Sequence, residues 1–163
     1  MFKKLIAGGA VLASGAAIWG IAGQDNTTRD SNGSIVQSGQ LGAFVTHVGD
    51  CFASLPGSDS NGLAKVSTVD GVPCSGGHHW QVYFKSSLTL DNYDSVGVQT
   101  ASAAICKEAI TNLANSLSSG MAAEYQNATS TLLYPTSESW AKGDRGVDCI
   151  IGSDTETYTD SLV

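Results

Sequence analysis

PCSGGHHWQVYFKSSLTL, residues 73–90, holds the key to the fold. From Trp80 onward the stretch is aromatic and β-branched, and Val82 and Phe84 alternate with Tyr83 and Lys85, the pattern of a strand with two different faces. Ahead of that strand lies a corner made of Cys74, Gly76, Gly77 and the adjacent pair His78 and His79. Three readings fit the corner: a metal site, a catalytic corner, or the turn of a disulfide-stapled β-domain.

Working outward, Phe44–Thr46 and Val48 lead into the turn Gly49-Asp50-Cys51-Phe52, and residues 54–62 are dense in turn formers. Val66, Thr68 and Val69 mark a further strand. Beyond residue 90 the period changes. Val98, Ala101, Ile105, Ala109, Leu113 and Leu117 recur at steps of three and four, with Cys106 and Ile110 widening the stripe, which predicts an amphipathic helix closed by Gly120. Short helices are expected at 121–126 and after Pro135, and GDRGVDCIIG (143–152) reads as a turn entering a strand on Val147, Cys149 and Ile151. The fold class is therefore α+β: a small, mainly antiparallel sheet with one principal helix packed on it.

The termini differ from this centre. Lys3 and Lys4 precede nineteen uncharged residues, Leu5–Gly23. As a helix these would span about 28 Å against a bilayer core of about 30 Å. Small residues at Gly20 and Ala22 also suit signal cleavage. Residues 1–23 thus read as a signal peptide or a transmembrane anchor, and either version places the rest of the chain outside the cytoplasm. Residues 24–40 are polar and read as a flexible linker, 41–152 as the globular domain, and 153–163 as a mobile polar tail.

Charge and cysteine count narrow the class. Removing Lys3 and Lys4 leaves 6 basic against 15 acidic residues, a charge of −9 beyond the leader. That field repels phosphate backbones, which excludes nucleic acid as the expected partner. Cys51, Cys74, Cys106 and Cys149 make an even number in an oxidising compartment, with no CxxC, and so read as two disulfides with three possible connectivities. Cys51 with Cys74 and Cys106 with Cys149 is the expected pairing, because each would join neighbouring elements.

The chemistry of the corner is constrained by the same residues. Zinc needs three or four ligands and thiolate sulfur. Adjacent histidines on a strand point to opposite faces, so at most one of them joins Cys74, and His47 is the third histidine of the chain. A metal domain through His47, His78 and His79 is the weaker alternative, and no cofactor is expected. GxSxG is absent, which leaves His78 with Asp50 or Asp144 as the hydrolase alternative. Glu138, Asp144 and Asp148 gather near Trp140, an indole suited to stacking on sugars. The plainer reading has Trp140 at the edge of the core and Asp144 pairing with Arg145 or capping a turn. Candidate binding residues are His78, Trp80, Tyr83, Trp140, Asp144 and Arg145, with no catalytic set assigned.

GDCF (49–52), VPCS-x-x-H (72–78), a helix-borne Cys106 and YPTxxxWxxGDRxVxC from Tyr134 to Cys149 together resemble the septum formation family. The likeness runs from about Val48 to Ile151. It implies an exported or membrane-anchored domain of the actinobacterial cell envelope, acting in septation through an envelope or divisome protein or a cell-wall component, and it brings no established reaction. The family pattern PCSxPHDxE is altered here, where Gly77, His79 and Gln81 stand at the proline and the two acidic positions.

Overall fold

The computed structural model describes residues 11–14, 24–56 and 63–163. Ten strands appear in chain order: β1 (Val11–Ser14), β2 (Thr28–Arg29), β3 (Ile35–Gln37), β4 (Gly39–Gly42), β5 (Cys51–Phe52), β6 (Leu63–Val66), β7 (Thr68–Val72), β8 (Trp80–Ser87), β9 (Thr129–Pro135) and β10 (Gly146–Gly152). Among the described residues three α-helices join them, α1 (Ser95–Ser116), α2 (Ser119–Glu124) and α3 (Ser137–Ala141). Eight strands form one sheet in the order β4-β7-β5-β8-β10-β9-β1-β6, and β2 pairs with β3 beside it. Among the described residues only β1 pairs in parallel, with β6 and β9; the other ladders are antiparallel.

Sheet order explains the shape. Ser67 alone separates β6 from β7, yet β6 ends the sheet on one side and β7 lies one strand from its other end. A chain that steps across in one residue requires the sheet to curl toward itself. Each face then has its own core. On the helix side Tyr83, Leu132, Val147, Cys149 and Ile151 meet Val98, Cys106 and Ile110 of α1; inside the curl Leu41, Phe52, Val69, Trp80, Val82, Leu133 and Ile150 pack together. The alternation of Val82 with Tyr83, and of Leu132 with Leu133, is the period of two sending neighbours to opposite cores. Because both faces are covered, β10 is buried from Val147 to Gly152, the burial expected of a doubly covered strand.

The principal helix forms where its period predicts, one turn longer at the start. Asp94 caps it by accepting from the Gly97 N–H at 2.7 Å. Its buried residues are Val98, Ser102, Cys106, Ala109 and Ile110, so the face centres on the cysteine. Its C-terminal cap is Leu117 in extended conformation, while Gly120, expected as the cap, sits inside α2. Both disulfides have the expected pairing: Cys51–Cys74 staples β5 to the turn after β7, and Cys106–Cys149 staples α1 to β10.

Both polar ends depart from expectation. Residues 24–40 are built in as β2, β3 and the start of β4, because Ile35 is only 7% exposed and Arg29 reaches Asp50 at the start of the domain. Two anchors suffice for a strand pair that lies over a larger sheet. The tail 153–163 likewise carries Tyr158 and Leu162 into the helix-side core. Of residues 1–23 only Val11–Ser14 are described, as a strand between β9 and β6, and the rest of the leader expectation lies outside the described residues. Among the described residues no helix is long and apolar enough to cross a membrane.

Candidate functional site

The corner at residues 73–80 is a stapled turn. Pro73 opens a short 3₁₀ turn, Cys74–Gly76, that ends at Gly77 with φ 94°. Of the two glycines this is the one in the left-handed region, and a Cβ there would meet Thr157 Cγ2 at 3.3 Å. Gly152 is required for a different reason, since a Cβ on it would sit 2.0 Å from the His79 carbonyl oxygen.

His78, expected as a binding residue, is 1% exposed. Its Nδ1 lies 3.0 Å from the Cys74 carbonyl and its Nε2 3.1 Å from the Tyr125 hydroxyl. A carbonyl only accepts, so in the neutral ring Nδ1 carries the proton. Nε2 then shares the single Tyr125 hydroxyl proton with the Asp160 carbonyl, 3.1 Å away. Burial lowers the imidazole's pKa from its usual 6.5, against the opposing pull of the Cys74 carbonyl and Glu124. Neither of these hydrogen-bond partners is a carboxylate, the partner that the hydrolase alternative calls for. Asp50 is committed elsewhere: Arg29 holds both of its oxygens and the His47 N–H donates to it at 2.7 Å.

The tail closes this corner. Tyr158 exchanges backbone hydrogen bonds with His78 and stacks on Tyr125 with ring centroids 4.1 Å apart. Gln81 binds the tail from both ends of its amide, accepting from the Leu162 N–H at 2.8 Å and donating to Ser161 Oγ at 2.7 Å. His79 turns toward the Glu156 carbonyl at 2.7 Å. The three histidines do not converge; the trio within 4.8 Å among the described residues is Cys51, Cys74 and His78, with both sulfurs in the disulfide.

The three aromatic candidate binding residues are turned inward, and Trp140 takes the core-edge place of its plainer reading. Trp80 is 6%, Tyr83 5% and Trp140 7% exposed. A sheet covered on both faces leaves no outward side for the first two. Trp80 donates to Asp154 at 3.1 Å, and the Tyr83 hydroxyl donates to the Cys106 carbonyl at 3.1 Å. Trp140 is fixed by α3, which begins with a reciprocal cap between Thr136 and Ser139.

Charged groups collect at the end of the β8–β10 ladder where Gly146 pairs with Ser87. Arg145 lies over the Trp140 ring, 3.5 Å from its centroid, and donates to the carbonyls of Trp140 and Asp144. Asp144 caps the turn by accepting from the Gly146 N–H at 2.9 Å. Asp148 is 4% exposed inside the apolar run of β10. Lys85 pairs with it at 2.7 Å and donates to the Thr46 hydroxyl at 2.6 Å, while that hydroxyl donates to the other carboxylate oxygen. Burial raises the Asp148 carboxyl's pKa, opposed by Lys85 and Thr46. With Thr46 also buried and the carboxylate held at both oxygens, the Thr46–Asp148–Lys85 cluster acts as a pin between the loop after β4 and the two strands.

These groups line an open cleft of about 500 Å³, with Lys85, Lys142, Asp144, Arg145 and Asp148 on its walls and Phe44 at its rim. Three of the six basic side chains beyond Lys4 therefore meet in one cleft of an acidic chain. Asp144 and Arg145 belong to the expected set; Lys85, Lys142 and Thr46 were missed. A lone aspartate inside the buried run VDCII was the available signal, since a charge there demands a cation from a neighbouring strand.

The family profile for septum formation matches residues 19–149, most of the chain, including the corner, both disulfides and the cleft-forming segment. The chain belongs to the septum formation family. No curated protein and no solved structure matches it. Family membership points to a role in septum formation or cell division, and two disulfides are consistent with a place outside the cytoplasm.

Proposed function

We propose that this protein is an exported envelope domain that acts in septation by binding, and that its ligand is an anionic cell-wall component seated in the Lys85–Lys142–Arg145 cleft. The carrying observation is the gathering of half of the domain's basic side chains at one open cleft. Asp144 and Asp148 share the walls and Lys85 is paired with Asp148, so the basic excess is small, but in a domain that is otherwise acidic it marks the place where a carboxylate- or phosphate-bearing partner meets attraction. An envelope or divisome protein with an acidic segment would use the same chemistry. Binding is favoured over hydrolysis because His78 is sealed under the tail and Asp50 is neutralised by Arg29.

The test is a fluorescent fusion of the full chain followed through division. Enrichment at the septum is expected, and enrichment falls when Lys142 is changed to Glu. Uniform envelope fluorescence, unaltered by Lys142→Glu, would overturn the proposal.

A further inference from the structure

Cys51 Sγ, Cys74 Sγ and a ring nitrogen of His78 all lie within 4.8 Å of one another. In the oxidised chain the sulfurs are bonded to each other and offer no thiolate. With that bond open, two thiolates and an imidazole are three donors of a tetrahedral zinc set. Zinc–sulfur bonds of about 2.3 Å at tetrahedral angles place two sulfurs about 3.8 Å apart, a separation that Cys51 and Cys74 reach only after their bond opens, with the imidazole already beside them. Cys51 and His78 are buried, and Cys74 is the partly exposed donor: with Gly49, Asp50 and Ser75 it lines an open cleft of about 670 Å³, the side from which an ion would enter. Both imidazole nitrogens are hydrogen-bonded, one to Cys74 O and the other to the Tyr125 hydroxyl. Ligation exchanges one of those two bonds for the metal and leaves the other to fix the ring.

We propose that the dithiol form of this chain binds one zinc ion through Cys51, Cys74 and His78, so that metal and disulfide are alternative occupants of the same corner. Every chain carries thiols between synthesis and oxidation, so no reductant is needed to reach this form. Loading moves no electrons: two thiol protons pass to water and two sulfur–zinc bonds form. Closure of the disulfide moves two electrons from the thiolates to a disulfide-class oxidant. Protons from water complete the two new thiols of that oxidant, the Cys51–Cys74 bond forms, and zinc leaves. This site is separate from the Lys85 cleft and does not depend on ligand binding there.

The experiment is a cobalt(II) titration of the full chain, reduced with a phosphine under anaerobic conditions, with cobalt as a coloured stand-in for zinc. A thiolate-to-cobalt charge-transfer band that saturates at one equivalent and is bleached by zinc is expected. Cys51→Ser should abolish the two-thiolate band, and His78→Gln should weaken binding at least about tenfold. The paired change Cys106→Ser and Cys149→Ser should leave the band in place; if that variant does not fold, the His78→Gln comparison decides alone. Absence of a saturable one-equivalent signal, or equal affinity in the wild-type and His78→Gln chains, would overturn the proposal, and a reduced chain binding cobalt nonspecifically gives the latter result.

Discussion

Arg29 holds both carboxylate oxygens of Asp50, at 2.6 and 2.9 Å, across 21 residues of sequence. The Asp50 side chain is 2% exposed and the Arg29 side chain 15%, so the pair is largely out of water. It joins the polar N-terminal segment to the turn that carries Cys51.

Breaking that pair from one side leaves a buried carboxylate without its cation. Arg29→Met is expected to cost about 3 kcal/mol and to lower the melting temperature by about 10 °C. Adding Asp50→Asn should recover a substantial part, because the charge is gone and the amide oxygen still accepts from the His47 N–H. Calorimetry of wild type and the two variants checks this, and an Arg29→Met chain that melts with wild type would mean that Arg29 is no anchor.

His78 gives the domain a pH dependence of known sign. Its pKa is lowered in the fold from the ordinary 6.5, so the unfolded chain binds more protons in the window just below that value. The contribution is therefore fully present above about pH 6.5 and is lost as pH falls from there through the folded-state pKa. The difference in urea stability between wild type and His78→Gln should shrink on going from about pH 7.5 to about pH 5. A constant difference would show that His78 keeps the same protonation folded and unfolded.

Tyr158 is the tail's main anchor, 2% exposed and stacked on Tyr125. Tyr158→Ala should destabilise the domain by about 3 kcal/mol. It should also speed hydrogen exchange at the His78 amide, which donates to the Tyr158 carbonyl at 2.9 Å. Unchanged exchange at His78 would mean that the tail is dispensable to the corner.

Much of the centre was legible in the sequence, and for a common reason: α1, β8 and β10 have strong apolar periods, and the cysteines sit where those elements meet. Residues 24–40 and 153–163 were not, because each segment is held by individual groups that pair with distant parts of the chain. Arg29 and Leu162 reach partners 21 and 81 residues away, and neither composition nor period reports such pairings. The same limit applied to the site. Asp144 and Arg145 could be read from GDR, and the turn-capping role of Asp144 with them. Trp80 and Tyr83 were read as candidate binding residues, but they lie on a strand covered by the curled sheet on one face and by α1 on the other, which follows from strand order and packing. Lys85 and Lys142 enter the cleft from different strands and turns, so only the fold brings them together with Arg145.

Cosedimentation of the full chain with isolated cell walls, wild type against Lys142→Glu, is the most direct test of ligand binding at the cleft. Binding that weakens several-fold in the variant, and that fades as salt rises from about 0.05 to about 0.5 M, is the predicted result. Wall binding that is absent at low salt, or equal in the two proteins, would contradict it.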